Sequence, residues 1–430
     1  MLGKLMFRFP RPQSFLFLVF LQLTGCGPGD TPDSAAATLS ATGPAEPVRV
    51  GARVLVEDAL ERVRGRRVGL FTNHTGIVEV ADGSVVSTID LLYDHPEVDL
   101  VALFGPEHGI RGTAEAGEHV ESSVDASTGL PVHSLYGGTL RPTPEMLADI
   151  DVLLFDIQDI GVRYYTYVWS MTHAMEAAAE AGIPFVVLDR PNPLDGVTVQ
   201  GNVLDPDFAS LVGRYPVPMR HGLTPGEVAR WVAGTYEMAG ELSVVPMSGW
   251  HREMTFDETD LPWVAPSPNM PDLVSALHYP GLCLFEGTPL SVARGTDRPF
   301  QQVGAPWLDG EALAVRLAAR GLPDVRFEAV RFTPRSPGDG KFDGEEVGGV
   351  RLHAEGPGYD PVQAALAVLL EVRAMAGPNW SWRAAHFDRL AGTDAVRLGV
   401  DAGRSLEELQ AGWEAQREAF RSSVATYLLY

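Results

Sequence analysis

The chain has 430 residues, 45% of them hydrophobic, and a formal net charge of −23, which allows two domains or one large α/β unit with a sizeable core. So acidic a field repels phosphate backbones and argues against nucleic-acid binding. Only Cys26 and Cys283 are present, too few for a disulfide framework if either is modified.

Residues 1–25 read as an address. Lys4, Arg8 and Arg11 precede an apolar run from Phe15 to Leu23, and Leu23-Thr24-Gly25-Cys26 follows: a positive region, a short hydrophobic region and a small-residue cleavage site. The run is about half of the ~20 residues that cross a bilayer as a helix, so a signal peptide is expected, not a permanent span. The Leu-x-Gly-Cys ending resembles the lipobox of bacterial lipoproteins, which implies cleavage before Cys26 and a lipid on its sulfur. The alternative is an ordinary signal peptide with an incidental Cys. Losing three basic residues takes the charge to about −26. Residues 26–47 are rich in Gly, Pro, Ala, Ser and Thr and read as a flexible tether on the periplasmic or cell-surface side.

Beyond the tether, four apolar runs each end in a polar loop: Arg67–Phe71, Leu100–Phe104, Val152–Phe155 and Phe185–Leu188. Helical patterns at Ser87–Tyr93, Pro144–Asp149 and Met171–Ala181 lie between or after them, so alternating βα units predict a Rossmann-like open parallel sheet. Ligands of such sheets bind at the carboxyl ends of the strands, where the polar loops converge. No Gly-x-Gly-x-x-Gly follows the first strand and no Gly-x-x-x-x-Gly-Lys-Ser/Thr occurs, so no nucleotide or redox cofactor is implied.

A helix at Pro225–Gly234 and a strand at Leu242–Pro246 continue the pattern before the Pro-rich stretch Leu261–Pro271 interrupts it. The fold class expected is therefore α/β, with an N-terminal domain at 48–270 and a smaller α+β domain at 271–430. In the second part Leu282–Phe285, Val325–Phe332 and Gly349–His353 read as strands, and Gly310–Gly321, Pro361–Met375 and Leu406–Tyr427 as helices.

Glu107 and His108 stand between Pro106 and Gly109 in a turn after a buried strand, a rigid support for an acid and a relay or orienting group. Asp156, Gln158, Asp159 and Arg163 gather at another strand end, followed by Tyr164, Tyr165, Tyr167 and Trp169. Carboxylates, amides and aromatic faces together suit a sugar. A core role for Tyr167 and Trp169 and a turn-stabilising role for Asp189, Arg190 and Asn192 remain open readings. Glu286 and the run Arg294-Gly-Thr296-Asp297-Arg298 add a carboxylate and two guanidiniums, either for a ligand carboxylate or as a salt-bridge cluster. The 11 His residues show no pair at helical metal spacing, so no metal is expected. There is no Gly-x-Ser-x-Gly elbow, and Cys283 sits in an apolar run as a core residue.

Gly69-Leu-Phe-Thr-Asn-His-Thr-Gly76, Phe104-Gly-Pro-Glu-His-Gly-Ile-Arg-Gly112 and Phe155-Asp-Ile-Gln-Asp-Ile-Gly-Val-Arg-Tyr-Tyr-Thr-Tyr167 resemble the NamZ-type exo-β-N-acetylmuramidases. So do Asp189–Pro193, Pro266–Pro271, Phe285–Thr288 and Ser291–Phe300, in the same order to near the C-terminus. The resemblance implies a glycoside hydrolase with an active-site cleft between its N- and C-terminal domains, which releases N-acetylmuramic acid from non-reducing ends of peptidoglycan fragments without a cofactor. On that basis Glu107 is the expected acid, His108 and Asp156 position substrate or water, and Glu286 is the second carboxylate. Asn73, Gln158, Arg163, Tyr165, Asp189, Arg190, Asn192, Asn269, Arg294, Thr296, Asp297 and Arg298 are expected substrate contacts. Arg163, Arg190 or Arg294 would meet the lactyl carboxylate. The rival reading is a lipid-anchored muropeptide-binding protein without catalysis.

Overall fold

The computed structural model describes residues 46–80, 83–107, 109–110 and 122–430. The signal segment, Cys26, the tether up to residue 45 and His108 lie outside them.

Apolar runs with no polar face need cover on both sides. The strands β1 (Arg67–Thr72), β2 (Asp99–Gly105), β3 (Pro131–Ser134), β4 (Val152–Asp156), β5 (Phe185–Leu188) and β6 (Leu242–Val245) form a parallel sheet ordered β6-β5-β4-β1-β2-β3. Ser123–Val124 adds a short antiparallel edge to β3. Alternate residues feed two apolar cores: Phe71, Phe104, Leu153 and Phe155 enter one, and Leu70, Leu103, Leu154 and Val186 the other. Strand order reverses between β1 and β4, so a crevice is expected at their carboxyl ends.

The helices carry their own boundary chemistry. Ser87 caps Thr88–Tyr93 by accepting from the Asp90 amide, and Thr224 with Glu227 forms a reciprocal capping box on Pro225–Thr235. Tyr167–Ala181 ends at Gly182, whose φ of 69° is the left-handed stop that glycine accommodates. It begins four residues before the expected Met171, because Tyr167, Val168 and Trp169 are buried and extend the apolar face.

The strand expected at Leu282–Phe285 is absent. Asp272 caps a helix, Leu273–Leu282, and a 3₁₀ turn, Cys283–Gly287, follows it. The apolar run is buried as a helix continuation, a case in which short apolar runs do not separate strand from helix. Leu406–Tyr427 is also interrupted: Gly412, at φ 82°, separates Leu406–Leu409 from Trp413–Val424. A second sheet has three antiparallel strands, with Val347–Ala354 between Gln302–Ala305 and Val325–Phe332, and two short antiparallel pairs join Ile77–Glu79 to Val85–Ser87 and Gln200–Val203 to Pro218–Arg220. One apolar cluster takes in Phe71, Trp169, Leu282, Val303 and Phe420, so residues on both sides of position 270 share a core. No helix among the described residues is long and apolar enough to cross a membrane.

Candidate active site

Glu107 follows β2 in a turn closed by the Gly109 amide on the Pro106 carbonyl, 2.9 Å, with Gly109 at φ 70°. Its carboxylate accepts from the Thr166 hydroxyl at 2.8 Å, at the entry of the helix Tyr167–Ala181. Tyr136 lies against it, and burial followed by the charge of Glu107 pushes that phenol well above its usual range. Burial likewise pushes Tyr165 and Tyr167 up, with Glu107 adding to the effect. Glu107 is thus a carboxyl set among hydroxyl groups.

Glu286 lies in the 3₁₀ turn Cys283–Gly287. Arg294 donates Nε (2.9 Å) and Nη2 (2.5 Å) to one carboxylate oxygen, and His386 Nε2 stands 3.8 Å from the other. Arg389 Nη2 is 2.9 Å from His386 Nδ1. A guanidinium only donates, so Nδ1 accepts and Nε2 carries the hydrogen that faces Glu286. Burial pushes the Glu286 carboxyl up, but the charge of Arg294 and the hydrogen bonds of His386 and Arg294 outweigh it and hold the group at about 2. The helix Ala384–Ala391, which carries His386, reaches this turn because residue 287 is glycine: a Cβ there would fall 2.5 Å from the Phe387 Cα.

These two carboxylates line one cleft of about 160 Å³. Its bed is aromatic: Tyr165 meets Tyr167 (5.1 Å) and Tyr279 (5.8 Å), Tyr279 meets Phe300 (4.7 Å), and Arg294 stacks over Phe300 at 5.0 Å. Tyr164 is fixed by donating to the Pro280 carbonyl. Ser267 and Asn269, from the Pro-rich stretch, complete the polar rim. Among the described residues the buried Tyr165 hydroxyl has no partner in hydrogen-bond geometry, although Ser267 and Tyr167 are close. Cys283 also borders the cleft, where burial holds its thiol protonated by pushing it well above its usual range. Chemically, the cleft offers a firmly ionised carboxylate facing a carboxyl among hydroxyls, over rings that can stack on a sugar.

Of the residues singled out from the sequence, the structure gathers Glu107, Tyr165, Asn269, Glu286 and Arg294 here. Others serve the scaffold. Asp156, fully buried, is paired with Arg190 at 2.5 and 2.9 Å and accepts from Thr88 at 2.5 Å, so neither partner of the pair has its charge free for a ligand. Gln158 donates to the carbonyls of Asp159 and Pro191, both at 2.7 Å. Asn73 accepts twice from Thr75. Asn192 bridges the Leu223 carbonyl and the Leu194 amide. Asp189 accepts from Thr224, Gly226 and Tyr430, and burial pushes it up to about 7.

Arg163 corrects the expectation of a ligand-binding guanidinium. It is fully buried and donates to four main-chain carbonyls, those of Asn202, Val217, Leu390 and Ala391. Thr296 folds back onto the Ala293 carbonyl, and Asp297 and Arg298 are exposed outside the cleft lining. Tyr136, Tyr279 and His386 were not legible as site residues: Tyr136 is a single residue in a bend, and Tyr279 and His386 are single residues on helices whose pattern signals only packing. Thr166 was within reach, inside the Tyr-Tyr-Thr-Tyr run. Among the described residues no group of three or more His, Cys, Asp and Glu is placed to hold a metal ion.

Comparison with known proteins places this geometry in context. Residues 68–274 match the family described as exo-beta-N-acetylmuramidase NamZ, N-terminal, and residues 277–430 its C-terminal counterpart. The chain is 41% identical over 424 residues to the peptidoglycan beta-N-acetylmuramidase NamZ of Bacillus subtilis (strain 168), covering 98% of this chain and 100% of that protein. Two crystal structures of DUF1343 family proteins from Bacteroides fragilis NCTC 9343 are similar. One has a TM-score of 0.82 at 38% identity, over 89% of this chain and 99% of the other. The second has a TM-score of 0.72 at 32% identity, over 90% and 99%. The chain belongs to the NamZ family of exo-β-N-acetylmuramidases.

Proposed function

We propose that this chain is a glycosidase that releases N-acetylmuramic acid from the non-reducing ends of peptidoglycan fragments, in the cleft between Glu107 and Glu286. The observation that carries the reading is the pairing of two carboxylates with different surroundings over an aromatic bed, in a chain of this family. Glu107, among hydroxyl groups, is the acid that protonates the leaving oxygen. Glu286, held ionised, stabilises positive charge at the anomeric carbon or activates its attacker. Arg294 spends Nε and Nη2 on Glu286, while its Nη1 makes no hydrogen bond among the described residues and faces the lactyl carboxylate. His108 remains a candidate for positioning substrate beside Glu107.

A division near residue 270 into a Rossmann-like part and a smaller C-terminal part belongs to this reading, supported by the break between the two family matches. So does export with a lipid on Cys26, supported by the leader and Leu-Thr-Gly-Cys26. A lipid there would keep the chain at the membrane, where wall fragments arise.

The test is hydrolysis of a chromogenic N-acetylmuraminide. Glu107→Gln is expected to abolish release while Tm stays near wild type, because the half-buried side chain keeps its shape and exchanges only one oxygen for an NH2 group. Retained turnover would remove Glu107 from the role.

A further inference from the structure

Of the 33 Lys and Arg residues only Lys4 and Lys341 are lysine, and Lys341 is the one within the described fold. Its ammonium donates to the main-chain carbonyls of Leu290 (2.8 Å), Phe285 (3.1 Å) and Glu286 (3.4 Å). Three acceptors converging on one nitrogen match the three hydrogens of an ammonium. A planar guanidinium spreads its donors and does not bring three to one point, which gives a physical reason for lysine here in a chain that otherwise uses arginine.

The carbonyls so gathered belong to the turn that carries Glu286 and to the segment leading to Arg294. That segment is held from the same side, since the Arg335 amide donates to the Gly295 carbonyl at 2.9 Å. Backbone strain brackets the arrangement: Ala293 (φ 60°), Ser336 (φ 47°) and Phe342 (φ 56°) all occupy the left-handed region that favours glycine. Such conformations persist where neighbouring contacts hold them, and the Lys341 contacts lie on the turn and segment next to them.

We propose that Lys341 is a positioning residue, whose ammonium clamps the carbonyls of Phe285, Glu286 and Leu290 and thereby fixes the Glu286–Arg294 pair at the wall of the cleft. This rests on the reading of that cleft as the catalytic one. The charged groups facing the ammonium are Asp339, Glu286, Arg383 and Arg294; burial dominates and lowers its pKa to about 8. Deprotonation removes one of three donors and the charge, so the clamp loosens as pH rises through that value.

The full chain is compared with Lys341→Met and Lys341→Arg. Both variants are expected to lose roughly 10²-fold in kcat, the scale of about 1 Å of misplacement, with KM little changed. The wild-type fall in kcat near pH 8 is expected to vanish from the variants' profiles. Wild-type kcat in either variant, or an unchanged alkaline limb, overturns the proposal, as does a lowered Tm with normal kcat in the folded fraction. A crystal structure of Lys341→Met decides independently of turnover: a shifted 283–290 segment supports the clamp and a superimposable one refutes it. A wild type that cleaves nothing would count against the functional reading alone.

Discussion

Arg294 and Arg163 show how the surroundings of one side-chain type decide its work. Arg294 meets a carboxylate at the cleft with Nε and Nη2 and makes no hydrogen bond through Nη1 among the described residues, whereas Arg163 is enclosed and spends itself on carbonyls. Arg294→Ala is expected to narrow the preference for a chromogenic muraminide over the matched glucosaminide. An unchanged ratio of kcat/KM would reject Arg294 as the lactyl contact. Arg163→Met should act on stability instead, by at least about 3 kcal/mol, because four buried carbonyls lose a charged donor. Urea denaturation measures that loss, and a value within experimental error of zero would contradict the assigned role. The sequence carried the residue types at these positions but not their partners. Arg163 and Arg190 stand next to site motifs, yet their acceptors come from chain segments as far away as Leu390 and Asp156, which local pattern does not encode.

At the scale of elements, the strand ends were legible and the second wall of the cleft was not. β1, β2, β4 and β5 are near-continuous apolar runs followed by polar turns, so both their existence and the site's general location could be read from period and punctuation. The turn that carries Glu286 has no such signature: Leu282-Cys-Leu-Phe285 fits a buried strand as well as the helix extension that it forms. Its geometry depends on the helix Ala384–Ala391 docking against Gly287, about 100 residues away in the chain. Gly287→Ala would push that helix off the turn. We expect a stability loss of about 1–3 kcal/mol from overpacking and a lower kcat, since His386 moves with the helix. Unaltered kinetics would show that the docking does not serve the site.

For the molecule as a whole, buried carboxyls set a pH dependence of stability. Burial, offset by backbone hydrogen bonds to Asp159 and mixed backbone and hydroxyl ones to Asp189, raises both to about 7. In the unfolded chain these groups ionise near the ordinary 3.8, so between about pH 4 and 7 the folded state holds protons that the unfolded state has lost. Stability is therefore expected to fall as pH rises across that window and to level off above it. Glu286 acts in the opposite sense at lower pH: its stabilising contribution is present above about 4.5 and is lost as pH falls towards about 2. Urea titrations at a series of pH values test both signs, and Asp189→Asn should flatten the decline between pH 4 and 7. A stability that rises through that window would contradict the assignment.

As proposed, the cleft lined by Glu107 and Glu286 cleaves a terminal N-acetylmuramic acid by virtue of those two carboxylates. The direct measurement is product analysis after incubating the chain with a disaccharide of N-acetylmuramic acid β-linked to N-acetylglucosamine, beside a matched disaccharide with N-acetylglucosamine at the non-reducing end. Free N-acetylmuramic acid is expected from the first and little release from the second. Tight binding of the first disaccharide without any cleavage would contradict it and favour a non-catalytic muropeptide-binding protein.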